Sequence, residues 1–480
     1  MLGLLRQHGE LVGYEGGEVY GHAWMHWWRG AAFPQWPKGT MLALGMKDAP
    51  PIDPLAVIFS SCMGGGAFGY NMWIWCSLFL AALGGGVLSN KMGGSFFFGA
   101  ILLAWSPPFL GSLSSGLSED GGLGLVALAV AYAYGENTSW WKSGLFLGLS
   151  FWSGLVLGWL GGMLCVLLMW LQGRRHISFW LKTFVLAFFL SLPILWPHLA
   201  RIGGHGHRTG EVLYEVEPLW QVNPWKQLDL ASIISWGRVS LDDALVRTHP
   251  GYVGIGVWLL ALYRKQWTWL LCIVLFLGLA LSDTIRFAGS PTEIGNPIAW
   301  LWHQLPFADQ FNHHGRAMLI VSVLMVAATA HSFRWWSVLL IGEVFAFSPI
   351  SVILPTTKSV DSTALLQLKE STVTGRVIHL PAFGPNISFQ RPLWIQHIHQ
   401  KPLYLNPNMP NLLEKSHFYQ DLMSANKEEI LFWPDDIASI IIEKKFFTER
   451  IDIRYRSLGE PYAEDEVYII WVHKKENTEN

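Results

Sequence analysis

Three groups of residues in this 480-residue chain carry side chains suited to moving protons or holding anions. One is the run Arg201-Ile-Gly-Gly-His-Gly-His-Arg208. Its glycines let the backbone approach an anion closely, and Arg201 and Arg208 offer forked donors that match phosphate. His205 and His207 add donors or metal ligands, although two ligands do not make a metal site. The same run also reads as a juxtamembrane loop with basic residues at lipid headgroups. A second group is the pair Glu119 and Asp120, carboxylates of the kind that accept a proton in general base catalysis. With Ser118 as cap, the same pair also describes an ordinary helix N-terminus. The third group is Glu18, His22 and His26, spaced four apart and so on one helical face. That stripe is either a metal or substrate edge or the wet side of an interfacial helix whose Trp24, Trp27 and Trp28 meet lipid.

Two further positions stand out. Arg316, after His313 and His314, opens an apolar run, where it serves either a cavity or an interfacial anchor. Glu343 is an isolated acid in another apolar run. An intramembrane carboxylate is a functional candidate by default, with a buried, hydrogen-bonded group as the alternative.

The elements that must position these residues follow from composition. Half of the chain is hydrophobic (51%) and only 14% is charged, against roughly 25% in soluble domains. The charges concentrate after about Thr356, which divides the chain into a membrane body and a soluble tail. The near-neutral net charge gives no electrostatic case for nucleic acid. Cys62, Cys76, Cys165 and Cys272 match no metal or redox spacing, and clusters among the 27 tryptophans suit a membrane aromatic belt.

Apolar runs of spanning type fall near 68–89, 95–110, 121–135, 143–157, 159–172, 179–198, 251–263, 267–283, 316–331 and 336–354. The charge-free stretch from Ser143 to Gln172 is too long for one crossing, so it is expected to fold as a hairpin turning at Trp159-Leu160-Gly161-Gly162. With that hairpin, the short basic loops containing Lys91, Lys142, Arg174, Arg175, Lys182, Arg264, Lys265 and Arg334 share one side, which the positive-inside rule makes cytoplasmic. The opposite side receives residues 1–67, the loops 199–250 and 284–315, and the tail. The expected architecture is therefore mainly α, a polytopic bundle of about ten transmembrane helices. It comprises a first extracytoplasmic loop with interfacial helices (1–67), a helical body (68–355) and a small extracytoplasmic α/β domain (356–480). In the tail, Ala364–Ser371 and Pro392–His399 read as helices. Gly375–Leu380, Ile437–Ile442 and Glu466–Val472 read as strands. His379, His397 and His399 carry no constellation there. Lys474–Asn480 are expected to be disordered.

Several motifs resemble GT-C superfamily membrane glycosyltransferases over nearly the whole chain. They are Gly16-Gly-Glu-Val-Tyr-Gly-His-Ala-Trp-Met-His-Trp-Trp, Phe33-Pro-Gln-Trp-Pro-Lys-Gly-Thr40, Gly69-Tyr-Asn-Met, Leu88-Ser-Asn-Lys-Met-Gly-Gly, Trp105-Ser-Pro-Pro, Ser115-Gly-Leu-Ser-Glu-Asp120, His249-Pro-Gly-Tyr-Val-Gly-Ile, Leu305-Pro-Phe, His314-Gly-Arg-Ala-Met and Arg376-Val-Ile-His-Leu-Pro. The likeness is closest to a bacterial branch. It implies a multi-pass protein of the bacterial inner membrane that moves a sugar from a polyprenyl-phosphate donor to an acceptor outside the cytoplasm. It further implies a helix ahead of the acidic loop, which Met1-Leu-Gly-Leu-Leu is too short to supply. Glu18 stands where the family commonly has Asp.

Under that resemblance, Glu18, Glu119 and Asp120 are the candidate catalytic carboxylates. Arg201, His205, His207, Arg208, His22 and Arg316 are the candidate substrate-binding groups. A divalent cation, Mg or Mn, is the cofactor to look for. Membrane lipids and the lipid-linked donor are the expected partners. A non-catalytic membrane scaffold or complex subunit with this fold is the second reading, and a lipid or glycan transporter is the third. The transporter reading lacks the repeats and midplane charges it calls for.

Overall fold

The structure is a computed structural model that describes residues 10–14, 17–32, 53–134, 137–172, 177–203, 228–234, 251–263, 266–281, 284–288, 290–298, 314–330, 334–348, 354–358, 360–381, 391–404, 422, 437–447, 455 and 458–473. Strand β1 (Glu10–Val12) leads into helix α1 (Val19–Ala32), and α2 (Pro54–Cys62) precedes the long α3 (Gly66–Lys91). Helices α4 (Phe96–Ala104) and α5 (Pro107–Ser114) end in a 3-10 turn, Ser118–Gly122, that feeds α6 (Leu123–Tyr134). Next come α7 (Trp140–Ser153), α8 (Leu155–Gln172), α9 (Ile177–Gly203), α10 (Leu230–Ile234), α11 (Ile255–Tyr263) and α12 (Trp267–Ala280). A hairpin of β2 (Thr284–Phe287) and β3 (Ser290–Gly295) follows, then α13 (Ala317–Thr329) and α14 (Arg334–Phe347).

The helices α3 and α6 to α9, α11 to α14 and the α4–α5 pair coincide with the ten expected apolar segments. Among the described residues, two helices are long and apolar enough to cross a membrane core: 66–91 and 177–196. A third crossing exists if α4 and α5 form one span, but they meet at a 42° bend. The single helix expected near 95–110 is broken there for a chemical reason. Ser106 precedes Pro107 and is pushed into extended backbone (ψ 131°), and the prolines then start a new helix.

Packing explains the sequence's small residues. A side chain at Gly84 would strike the Gly124 carbonyl, and one at Gly85 the Gly99 carbonyl. Glycine therefore brings α3 into backbone contact with both α6 and α4. Helix α13 is buried at every position, which makes it the central rod of the body.

The expected hairpin exists, but its turn is at Gly154, not at 159–162. A Cβ added at Gly158 would meet Phe151, and one at Gly161 would meet Leu147, positions roughly equidistant from Gly154, so α7 and α8 run antiparallel. Gly161 and Gly162 are helical. The true turn needs glycine because a Cβ at 154 would lie 2.5 Å from the Glu119 carbonyl oxygen. At the other end of these helices, Lys91 and Lys142 both lie over the Tyr132 ring, at 4.7 and 5.0 Å.

The tail opens with β4 (Thr356–Lys358), which pairs antiparallel with β1. Helices α15 (Thr363–Glu370) and α16 (Arg391–His399) accompany a four-stranded sheet of order β5 (Arg376–Leu380), β6 (Ile437–Glu443), β8 (Tyr468–Val472), β7 (Ala463–Glu464). Only the β5–β6 pair is parallel. Strand β6 is buried along its whole length, which accounts for its continuous isoleucine run. All five elements expected in this segment are present. His379 and His399, which looked unaccompanied, meet in the core with Nε2 atoms 3.2 Å apart. Burial pushes His379 down to about 3, with Arg391 adding to the effect, so this is a neutral pair.

Glu343 resolves to its structural alternative. It accepts hydrogen bonds from the Ile255 and Gly256 amides (2.6 and 2.8 Å) and from the Tyr252 hydroxyl (3.2 Å). An acid from α14 thereby satisfies the free amides that begin α11. Glu343→Ala should lower unfolding stability by about 1–3 kcal/mol, the cost of stranding buried donors, and Glu343→Gln should lose less. Thermal unfolding in detergent measures both.

Candidate active site

Four segments supply one buried polar cluster at the end of the body remote from Lys91 and Lys142. The first is the start of α1. The backbone before it is fastened to the loop after α5: Tyr14 and Glu18 amides donate to the Ser114 and Ser115 carbonyls at 2.9 and 2.7 Å. That anchoring sets where Glu18, His22 and His26 project. The second segment is Asp53, which precedes Pro54 at the start of α2. Asp before Pro normally caps its own helix, yet Asp53 makes no side-chain cap bond. Its carboxylate turns instead to His26 Nε2 (3.2 Å) and accepts from the Ser118 hydroxyl. The third segment is the 3-10 turn carrying Ser118, Glu119 and Asp120. The fourth is Arg316, at the start of the central helix α13.

Arg316 joins the acids. Its guanidinium donates to Glu119, and its Nε lies 3.4 Å from Asp120. Asp120 also accepts from Ser112. All these groups are buried: His26, Asp53, Ser118 and Asp120 are fully enclosed, and His22, Glu119 and Arg316 nearly so. Glu18 differs, because its side chain keeps 35% exposure.

The surroundings of His22 favour its protonated form. Ser118 spends its proton on Asp53, so its oxygen accepts from His22 Nδ1 at 2.8 Å. His22 Nε2 lies 3.1 Å from Glu119 and 3.7 Å from Glu18, and ionised carboxylates only accept. Nδ1 therefore donates, and the carboxylates beside Nε2 favour the charged imidazolium. Burial opposes that charge, but Glu119, Asp53 and Glu18 outweigh it and raise His22 well above its ordinary value. Burial likewise works against the Asp53 anion, yet His22, 3.6 Å away, and the hydrogen bond from His26 hold it below the usual carboxylate range. For Asp120 burial wins. Arg316 pulls it down and Glu119 pushes it up again, leaving it at about 6.

The expected residues divide as follows. Glu18, His22, Glu119, Asp120 and Arg316 come together. Arg201 lies in the last turn of α9, and its side chain falls outside the described residues, as do His205, His207 and Arg208. The lipid-facing reading of the α1 tryptophans does not hold: Trp24 and Trp28 are buried and stacked at 5.2 Å. Nor is Ser118 a helix cap, since its hydroxyl serves His22 and Asp53. Arg316 is buried between acids and is no interfacial anchor. Sequence reading missed Asp53 altogether. The signal was there in Asp53-Pro54, but it is the ordinary signature of a helix start.

One donor atom each from His22, Asp53 and Glu119 lies within 4.8 Å of the others. Asp53 Oδ1 has no hydrogen-bond partner among the described residues. Two carboxylates and an imidazole in this arrangement fit a divalent cation.

No family model matches the chain. No curated protein matches it in sequence. Solved structures do share its fold. Arabinofuranosyltransferase AftD from Mycobacteria aligns over 98% of this chain at TM-score 0.51 and 14% identity. The alignment takes in 39% of that protein, so the chain spans well under half its length. ArnT from Cupriavidus metallidurans aligns over 98% of this chain and 95% of its own at TM-score 0.43 and 9% identity. Its undecaprenyl phosphate complex aligns at TM-score 0.39 and 13% identity. Those two likenesses are too slight to bear on the argument.

Because the His22 value is raised on folding, its contribution to stability is fully present below pH 6.5 and fades as pH climbs through the folded value. Unfolding midpoints should therefore fall on the alkaline side of pH 6.5. His22→Asn should be less stable at neutral pH and lack that alkaline decline. A series of melts across pH for both proteins checks this.

Proposed function

We propose that the chain is a GT-C-type glycosyltransferase that moves a sugar from a polyprenyl-phosphate donor to an acceptor on the outer face of the inner membrane. The observation that carries the reading is the convergence of Glu18, His22, Asp53, Glu119, Asp120 and Arg316 at one end of the helical body. The basic residues Lys91 and Lys142 sit together at the other end. The positive-inside rule then puts the cluster outside the cytoplasm, where the tail domain lies against it.

Glu18 is the base in this reading. Of the cluster's carboxylates it alone reaches solvent, and Glu119 and Asp120 are committed to Arg316. It accepts the proton of the acceptor hydroxyl as that oxygen bonds to the anomeric carbon. The bond from the anomeric carbon to the phosphate oxygen breaks, and the polyprenyl phosphate leaves with the electron pair. His22, held between Glu18 and Glu119, fixes the orientation of Glu18. Arg316 pairs with the two inner acids and so keeps the cluster closed around Asp53. Arg201 and Arg208, at and beyond the end of α9, are proposed to hold the lipid phosphate.

His22, Asp53 and Glu119 would hold the divalent cation, which when bound would stabilise negative charge on the departing phosphate. The imidazole in the set favours manganese over magnesium, and His22 must lose its proton to serve as a ligand.

A second reading, a non-catalytic scaffold of the same fold, draws on one feature: Glu119, Asp120 and Arg316 satisfy one another and need no substrate. Glu18→Gln separates the two. In lipid nanodiscs with a polyprenyl-phosphate sugar, transfer should fall by about a hundredfold or more, the scale of general base catalysis, with unchanged folding. Chelation of divalent cations should lower transfer, and manganese should restore it. Full transfer by Glu18→Gln removes Glu18 from the mechanism, and no transfer by the wild type leaves the scaffold reading.

A further inference from the structure

Helix α1 has two faces with different duties. Glu18, His22 and His26 project toward the buried cluster. Tyr20 and Trp24 are offset by two residues, about 200° around a helix of 3.6 residues per turn, and so face the opposite way. That opposite face is held by the tail domain. Arg391 of α16 is buried and forked onto Glu443 of β6, with its Nε and one terminal nitrogen at 2.8 and 2.9 Å. Its other terminal nitrogen donates to the Tyr20 hydroxyl at 2.7 Å, with the guanidinium 5.4 Å from the Tyr20 ring centre. One turn along, the Trp24 indole donates to the Gln396 side-chain carbonyl at 3.0 Å. The Gln396 amide in turn donates to the Lys401 carbonyl at 3.1 Å, which fixes its orientation. Tyr20 and Gln396 are fully buried, and Trp24 nearly so.

We infer that the tail domain sets the rotation of α1, and that Arg391 and Gln396 are thereby positioning residues for the Glu18–His22–His26 face. The physical case is one of reach. A small rotation of the helix moves its polar face by about an ångström, a scale that matters to positioned groups, and the cluster is tightly set: His22 Nδ1 is bonded to Ser118, its Nε2 lies 3.1 Å from Glu119, and His26 is bonded to Asp53. Glu443 holds Arg391 against the sheet, so the position of α1 is referred to the tail core and not to a flexible side chain. The inference rests on the proposed function only in treating the cluster as a site. It makes the tail a part of the site that touches none of the acids.

The test needs no sugar donor. The thiol pair H22C/S118C replaces side chains that meet at 2.8 Å in the native protein. Its disulfide is timed under mild oxidation in the full chain in nanodiscs, with the 22–118 link identified by mass spectrometry. Tyr20→Phe deletes one acceptor and keeps the ring. Added to the thiol pair, it should slow closure about tenfold or more, as displacements of an ångström do to reacting groups. Arg391→Met should slow it further, and Arg391→Lys should recover part of the rate because it keeps charge but loses the fork. Closure of the Tyr20→Phe pair at the unmodified rate overturns the inference, whatever Arg391→Met does, because that change also takes the forked partner from Glu443 and leaves it only Lys445 at 3.3 Å. Absent sugar transfer in every protein would sink the proposed function and leave this result standing.

Discussion

The ion cluster of Arg316 with Glu119 and Asp120 is the interaction on which the rest of the structure depends. Each buried ion costs several kcal/mol of lost hydration, and removing one partner of such a pair costs about 3–5 kcal/mol. The central helix can therefore be placed with Arg316 at its start only if the 3-10 turn after α5 meets it. That demand propagates. The turn fits only because Gly154 leaves room for the Glu119 carbonyl, so the α7–α8 hairpin must reverse at that level. Ser112, in α5, must face Asp120, which fixes the bend at Ser106-Pro107. Asp53 must give up capping its own helix in order to meet Ser118 and His26.

Segregation of charge follows from the same constraint. The body has few charges, and two groups of them stand at opposite ends: lysines stacked on Tyr132 at one, the acid-histidine-arginine cluster at the other. Between them lie the glycine contacts of α3 with α4 and α6, where backbones touch and no ionisable group would fit. Glu343 obeys the same logic on a small scale. It survives in an apolar helix because the open amides of α11 take it as their acceptor.

What could be read in the sequence was whatever depends on local periodicity. The long α3, the apolar segments and the tail's isoleucine strand announce themselves, because burial on one or both faces writes directly into residue order. Glu18, His22, Glu119 and Asp120 could be singled out for the same reason, as polar groups breaking an apolar pattern. Features set by tertiary contact could not. Gly161-Gly162 resembled a turn, yet those glycines are helical, and the real turn is the glycine that faces another segment's carbonyl. The tryptophans of α1 looked lipid-bound because nothing local reveals that Gln396, hundreds of residues later, takes the indole of Trp24. Asp53 was invisible because its sequence context has a sufficient local explanation. Ser118 was misread in the mirror sense: it has the residue type of a cap, and its hydroxyl is spent elsewhere.

Charge balance sets the strongest condition on any substrate. Glu18, Asp53, Glu119 and Asp120 face Arg316 and the His22 imidazolium, so with all four acids ionised the cluster is negative. The rise of Asp120 to about 6 relieves part of that excess at acid pH but little of it at neutrality. A lipid phosphate brings further negative charge into a region of low dielectric, where like charges repel far more strongly than in water. An anionic donor therefore needs cationic help beyond Arg316, whose charge is already spent on Glu119 and Asp120. The proposed function offers two sources: a divalent ion that His22, Asp53 and Glu119 would hold, or the arginines at and beyond the end of α9. The two differ in consequence. His22 would have to give up its proton to hold a metal, which would tie donor binding to pH, whereas arginines would leave the cluster's protonation unchanged. In the proposed reaction, the negative excess of the cluster would thus make one of these cations a requirement and not an accessory.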